Sequence, residues 1–440
     1  MIIRATFENI LSFRDEAQIS FVAGKSDTHS HHVVRAKKRN DISVLKFGIV
    51  YGANASGKSN IIKAVSLIRD IAIGSFPRYW IEPFKLSVNN TEHSKSELEI
   101  KRGSKYYAYG VEFSVEGLKE EWLYEINSRV DKMIFERTVD DNGNNFNFGT
   151  VNGGASSSTL LKFISHATPK DKSFLSEYVV RNGVGLEDIR EVYEWFLDCL
   201  HIIFPDTRFD GISYRTESHE SLRDGTIKLL DYFGTGFSSM KEIPVSAEES
   251  DIPSNEIKDI MAKATPGNIY FILSKAGGQL YSLEVRPDRG YRLFNHKPIH
   301  LDESGKEVLF EMRQESDGTQ RLLEFVPMLL DLKNNDSVYL IDEIDRSMHP
   351  MLSRKLLECF DLGISEEKDS QLIFTTHESN LLDLDLIRAD EVWFVEKDAA
   401  GASHLTSLAE YKPREDIRRG YLLGRYGAIP FFASIKNLKW

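Results

Sequence analysis

An α/β fold, with a mixed, largely parallel sheet, an antiparallel β lobe and an inserted helical middle region, is what the sequence predicts. Three observations lead there. A glycine-containing loop, Gly52 to Ser59, lies between a compact apolar run and an amphipathic run. Residues 316–400 alternate helix-like and strand-like segments, the βα rhythm of a parallel sheet. Residues 96–150 read as β throughout; Tyr107, Tyr109, Val111, Phe113 and Val115 alternate on one face, the period of a half-buried strand.

Taken in order, MIIRATFENILSF and AQISFV are short β-rich runs separated by the turn-prone RDE. KFGIVYG (46–52) is a buried-strand pattern ending in glycine. From Asn60 onward, Ile61, Ile62, Val65, Ile68 and Ile71 mark the apolar stripe of a helix. Residues 160–265 read as largely helical, with Leu186, Ile189, Tyr193, Phe196, Leu200 and Ile203 on one stripe. The polar stretch 236–256 reads as a loop. After Pro266-Gly267 the runs NIYFILS, LYSLEV and YRLFN are strands. A helix from about 318, strand VYLI (338–341), a helix from about 350, strand LIFTT (372–376) and strand EVWFV (391–395) follow. The expected organisation is an N-terminal lobe over 1–150, a middle region over 151–300 and a C-terminal lobe over 301–440.

Composition excludes several classes. The chain has 440 residues, room for about two to three domains at roughly 150 residues each. With 41% hydrophobic and 11% aromatic residues it can bury a large core, so it is neither disordered nor fibrous. Cys199 and Cys359 are far apart and have no CxxC or Cys/His spacing, which speaks against a disulfide framework and against a structural zinc site. No apolar run approaches the roughly 20 residues needed to span a bilayer, so no membrane association is expected. MIIRATFENILSF lacks the long apolar stretch of a signal peptide, and a cytoplasmic location is expected. Basic residues number 55 against 67 acidic, a net charge of −12, which gives no indication of a nucleic-acid coat. Two local basic groups, Arg35, Lys37, Lys38 and Arg39, and Arg414, Arg418, Arg419 and Arg425, fit a surface charge run or a contact with nucleic acid or an acidic protein. His29, His31 and His32, with Asp27 beside them, fit a metal site or a solvated loop, and the scarcity of nearby carboxylates favours the loop.

Four motifs carry chemistry. Gly52-Ala53-Asn54-Ala55-Ser56-Gly57-Lys58-Ser59, followed by Asn60, fits GxxxxGK[ST] between strand and helix. Its glycines allow the backbone to wrap a phosphate and aim N–H groups inward, and the helix N-terminus adds a positive dipole end. Lys58 can then reach β/γ-phosphates and Ser59 can ligate Mg²⁺. In VYLIDE, Asp342 ends an apolar strand, placed to hold a Mg²⁺ water shell, and Glu343 follows, placed to polarise a water as general base. A pair of acids capping the next helix is the alternative. Ser316-Asp317-Gly318-Thr319-Gln320 opens a helix, as an anion site or as a plain N-cap. His377 ends the strand FTT, as a hydrogen-bond donor to a γ-phosphate or as a structural residue.

The order of these parts, in the forms YGANASGKSN, ESDGTQRLLE, YLIDEIDRSMHP and FTTHESNLLD, resembles the ATP-binding-cassette ATPases. Within them it is similar to the SMC, RecF and OLD-type branch, and to the AAA-family ATPases of bacterial abortive-infection and anti-phage systems. That group includes the ATPase subunit of PARIS systems. GRYGAIPFF (424–432) also looks like their C-terminus. The motifs anchor residues 1–75 and 305–440. The resemblance implies a P-loop NTPase fold with an ABC-type head, with ATP and Mg²⁺ as ligands. It implies Lys58 and Ser59 as Walker A, Asp342 as Walker B, Glu343 as catalytic glutamate, Ser316 to Gln320 as signature turn, Asp345 in the D-loop and His377 as switch histidine. Two departures stand out: the turn reads SDGTQ rather than SGGQ, and WIEPFKL (80–86) holds no Q-loop glutamine. Phe13 and Arg14, in the early turn, are placed beside the adenine or in a solvated turn.

In that class the signature turn of one chain closes over the nucleotide of a second, so a homodimer or larger assembly through shared ATP sites is implied. The resemblance further implies a sensor or regulatory subunit that controls a separate effector, a Toprim-type nuclease or another toxin, in answer to a phage-encoded trigger. No second catalytic centre stands out, and the stretch after His377 is too short for an appended Toprim domain. A RecF/SMC-like DNA-repair ATPase and a nucleotide-gated scaffold with little turnover are the rival readings.

Overall fold

The computed structural model describes residues 1–440 except 39–40, 88–91, 142, 153, 206–209, 215–224, 226–227, 230, 237–238, 265, 275–277, 289, 364–366, 414–415 and 430–440. Arg39, Arg414 and the last three residues of GRYGAIPFF lie outside the described residues. The chain forms two compact units. The first comprises residues 1–202, 336–344 and 366–440; the second comprises 203–335 and 345–365. Of the expected middle region, residues 151–202 therefore belong to the first unit and 203–300 to the second.

Two large sheets lie in the first unit, beside a two-stranded ribbon of Val33–Val34 with Val44–Leu45. One is antiparallel, with strands in the spatial order Gly143–Phe148, Lys132–Asp140, Gly117–Glu125, Lys105–Ser114, Ser94–Arg102, Ile2–Glu8 and Ala17–Ser20. Tyr107, Tyr109, Val111 and Phe113 are buried on one face, as their alternation predicts, while Val115 falls beyond the strand and is exposed. The other sheet runs Leu200–Ile203, Val338–Ile341, Gln371–Thr376, Phe47–Gly52, Val392–Lys397 and Ser403–Ser407. Val338–Ile341, Gln371–Thr376, Phe47–Gly52 and Val392–Lys397 pair in parallel. Ser403–Ser407 joins antiparallel at the edge. The three strands Val338–Ile341, Gln371–Thr376 and Phe47–Gly52 are buried along their whole length, which is why they read as unbroken apolar runs. Gln371 ties the two sheets together: its Oε1 accepts the Ile2 N–H at 2.7 Å, and its Nε2 donates to the Ile2 and Leu45 carbonyls at 3.0 and 2.9 Å.

The helix Lys58–Ala72 follows the glycine loop and buries Ile61, Ile62, Val65, Ile68 and Ile71, the predicted stripe. Two expectations are corrected. The stripe from Leu186 to Ile203 is not one helix. It is an α-helix Glu187–Glu194, a π-turn Trp195–Cys199 and a strand Leu200–Ile203 at the edge of the parallel sheet. Leu186, Ile189, Phe196, Leu200 and Ile203 are all buried, and burial alone does not distinguish a helix from a sheet-edge strand. The polar stretch 236–256 is not all loop: it holds a strand Ser239–Val245, and a helix begins at Ser254.

In the second unit a sheet runs Asp210–Tyr214, Ile269–Leu273, Leu280–Val285, Tyr291–Leu301 and Ser239–Val245, with Glu307–Leu309 also pairing with Tyr291–Leu301. Its pairings are antiparallel. Ile257, from the helix Ser254–Lys263, joins Ile272, Leu283 and Val285 in its core. The helices Asp317–Asn334 and Pro350–Gly363 complete it.

Candidate nucleotide-binding site

The parallel strands of the first unit end together, and their ends carry the predicted residues. Gly52 closes the strand Phe47–Gly52, Asp342 follows Val338–Ile341, and Thr375 and Thr376 end Gln371–Thr376. In parallel α/β sheets, ligands bind at these carboxyl ends.

The loop after Gly52 is wrapped tightly. Gly57 caps the following helix at φ +113°, and a Cβ there would lie 2.3 Å from Ser403 Oγ and 2.7 Å from Ser12 Oγ. A Cβ on Gly52 would meet Ser56 Oγ at 2.4 Å. Both glycines are therefore required by space, and Gly57 also by its left-handed backbone. Asn54 and Ala55 form the exposed tip, with Ala55 at φ +63°. Lys58 is buried, and its Nζ donates to the Gly52 and Ala53 carbonyls at 2.9 and 3.1 Å. Ser56 Oγ is buried and has no hydrogen-bond partner among the described residues.

A bracing network underlies the loop. Ser403 Oγ donates to the Ser56 carbonyl at 2.6 Å and lies in hydrogen-bond contact with Ser12 Oγ at 2.7 Å, and the Ser403 N–H donates to the Ser12 carbonyl at 2.7 Å. Asn60 Nδ2 donates to Ser12 Oγ at 2.7 Å. Sequence reasoning missed Ser12 and Ser403. A serine in a turn and a serine on an edge strand carry no local signal that they will meet a loop elsewhere in the chain.

The acids sit against the loop's far end. Ser59 Oγ donates to Asp342 Oδ1 at 3.0 Å, and Thr375 Oγ1 donates to the same oxygen at 2.6 Å. Thr375 also acts on Glu343. Its Oγ1 accepts the Glu343 N–H at 2.8 Å, and its carbonyl accepts the Ile344 N–H at 3.1 Å. Glu343 itself is held at φ +53°, a left-handed backbone that costs an L residue about 1–3 kcal/mol and is maintained only where surroundings impose it. The structure thus brings Ser59, Asp342 and Glu343 together and adds Thr375. The sequence showed Thr375 only as part of the strand before His377. His377 is exposed immediately beyond that strand.

Two other predicted positions read differently. Phe13 is fully buried and stacks on Phe7 at 5.6 Å between ring centroids, so it is a core residue rather than an adenine neighbour. Arg14 pairs with Asp15 at 2.8 Å, which also holds the Asp15 carboxyl below its ordinary pKa.

The turn Ser316 to Gln320 belongs to the second unit. Ser316 is the N-cap of the helix Asp317–Asn334, its Oγ accepting the Thr319 N–H at 3.1 Å. Gln320 Nε2 donates to the Glu315 carbonyl at 2.9 Å, and Asp317 is exposed. A Cβ on Gly318 would approach the Ser347 carbonyl at 3.3 Å.

A glycine-wrapped loop feeding a helix at the end of a parallel sheet, beside an acid-ended neighbouring strand, is the P-loop NTPase arrangement. The antiparallel sheet gives it the form of an ABC-type head. The family model described as "AAA domain, putative AbiEii toxin, Type IV TA system" matches residues 48–383, and the chain belongs to that family. Two solved structures align along nearly the whole chain. One is a crystal structure of the SMC head bound to the C-winged helix domain of ScpA, at 14% identity and TM-score 0.43, covering 93% of this chain and 99% of that one. The other is the SMC head domain from Thermotoga maritima, at 12% identity and TM-score 0.41, covering 92% of this chain and 98% of that one. No curated protein matches the chain.

Proposed function

We propose that this chain binds ATP with Mg²⁺ and hydrolyses it to ADP and phosphate. The observation that carries the reading is the junction at Asp342 Oδ1, where the hydroxyls of Ser59 and Thr375 converge. It joins the phosphate-type loop to an acidic strand end across 283 residues.

The residues present suit both ligands. The loop has two glycines where a Cβ would collide, and a buried Ser56 Oγ with no partner among the described residues. Ser59 and Asp342 offer the hard oxygen donors that Mg²⁺ prefers. Bound there, Mg²⁺ would draw negative charge from the phosphates. Gly52, Asn54, Ala55, Ser56, Gly57 and Asn60 shape the cradle whose N–H groups face the phosphates. Lys58 exchanges its loop carbonyl partners for phosphate oxygens and stabilises charge in the transition state. Glu343 takes a proton from the attacking water, and Thr375 keeps its backbone in the strained position that this requires. His377, exposed at the strand end, donates to the γ-phosphate.

Ser316, Asp317, Gly318 and Gln320 would complete the site of a second copy, so ATP holds two chains together and hydrolysis releases them. The family description, with its toxin and Type IV toxin–antitoxin context, supports a regulatory role in bacterial defence. In this reading the chain works in the cytoplasm, answers a phage-encoded trigger and controls a separate toxin or Toprim-type nuclease, as in the PARIS group. The net charge of −12 supports a protein partner over plain duplex DNA.

Phosphate release, nucleotide affinity and sedimentation test the enzymatic core. Lys58→Ala is expected to lose ATP binding and ATP-dependent association together. Glu343→Gln is expected to keep binding, prolong association and reduce turnover by about 10²–10⁴-fold. Unchanged affinity and association in Lys58→Ala would overturn the reading.

A further inference from the structure

The histidines of the polar loop form a built cluster. His29, His31 and His32 each place one ring nitrogen within 4.8 Å of the others. Their ring centroids lie 4.5 Å apart for His31 and His32, 5.0 Å for His29 and His32, and 6.0 Å for His29 and His31. His32 is fully buried, and its neighbours are half-buried.

A second group of residues fixes these rings from behind. His32 Nδ1 lies 2.8 Å from Oε1 of the equally buried Glu391, whose Oε2 accepts the Arg388 N–H at 2.8 Å. His29 Nε2 lies 2.9 Å from the Leu384 carbonyl. A carbonyl only accepts, so His29 donates from Nε2 and carries its lone pair on Nδ1. In the tautomer in which His32 Nδ1 donates to Glu391, the lone pair of that ring lies on Nε2. Arg388 donates to the Ser26 and Thr28 carbonyls, holding the loop just before the histidines. The Lys46 N–H binds the His32 carbonyl at 2.8 Å, holding it just after.

We infer that His29, His31 and His32 bind one divalent transition-metal ion of the imidazole-preferring class, Zn²⁺ in the first instance, with Glu391 as the carboxylate behind His32. Three neutral imidazoles suit such ions. A carboxylate hydrogen-bonded to a ligating histidine both sets its tautomer and strengthens it as a ligand. The His32 ring packs 4.6 Å from Phe47, which starts the strand that ends at Gly52. The ion would therefore sit at the opposite end of that strand from the nucleotide loop, and it would pin the loop to the sheet.

The test uses the full chain without a histidine tag, stripped of metal and free of nucleotide, titrated with Zn²⁺ alone against a chromophoric chelator. One ion per chain is expected. His31→Asn should weaken binding by on the order of 100-fold, and Glu391→Gln by about 10–100-fold. Equal affinity in wild type and the double variant His29→Asn/His31→Asn would overturn the inference. Electron paramagnetic resonance of the wild-type chain with one equivalent of Cu²⁺ needs no variant. Nitrogen hyperfine structure from imidazoles is expected, and its absence would equally overturn the inference.

Discussion

Thr375 serves two acids at once: its hydroxyl donates to Asp342 and accepts the backbone N–H of the strained Glu343. Thr375→Val keeps the shape but strands both groups. The expected cost is about 1–3 kcal/mol of stability, measured by chemical denaturation, together with a fall in phosphate release. Thr375→Ser should restore both, because it returns the hydroxyl. The two cysteines report on burial rather than chemistry. Burial pushes the Cys359 thiol up to about 11 and also raises that of Cys199. At pH 7 far less thiolate is present than in a free cysteine, so Cys359 should react with a thiol reagent on the order of 100-fold more slowly than a model thiol. A rate equal to that of the model thiol would show that the side chain is not held as described.

Among the elements, the helix Asp317–Asn334 depends on its first residue. Ser316→Ala removes the acceptor for the Thr319 N–H and is expected to destabilise by about 1 kcal/mol, while Ser316→Gly should cost only a few tenths. Denaturation separates this cap role from the proposed partner contact, which would show instead as weaker ATP-driven association. The antiparallel lobe is held by a buried ion pair, Glu121 with Arg137 at 3.3 Å. Glu121 also accepts the Phe174 and Leu175 N–H groups at 2.7 and 3.1 Å. Burial raises the pKa of the Glu121 carboxyl, against the pull of Arg137 and those N–H groups. Glu121→Ala leaves Arg137 buried without its charge partner and should cost about 3–5 kcal/mol, read as a lower denaturation midpoint.

At the scale of the whole chain, the proposed nucleotide site draws on segments around residues 12, 52–60, 342–343, 375 and 403, all within the first unit. The acidic balance of the chain bears on the DNA-binding reading. Plain duplex DNA is expected to show no salt-dependent binding by fluorescence anisotropy at physiological salt. A steep fall in affinity with rising salt would favour the DNA-repair reading instead. No helix among the described residues is long and apolar enough to cross a membrane.

The amino-acid order alone determined the glycine loop, the apolar strand leading into Asp342 and the alternation of Tyr107 to Phe113. Each is a requirement on a few neighbouring residues: a backbone angle, a side-chain period or a helix cap. It left the stripe through Leu200 and Ile203 ambiguous, because a buried helix and a sheet-edge strand ask for the same apolar residues. Only the tertiary structure decided that Ser12, Ser403 and Thr375 brace the site and that His32 is buried against Glu391. Those partners lie far apart along the chain, 347 residues for Ser403 and Ser56, 359 for His32 and Glu391. A hydrogen bond between two such side chains exists only once the sheets have brought them within reach, so nothing in either segment announces the other.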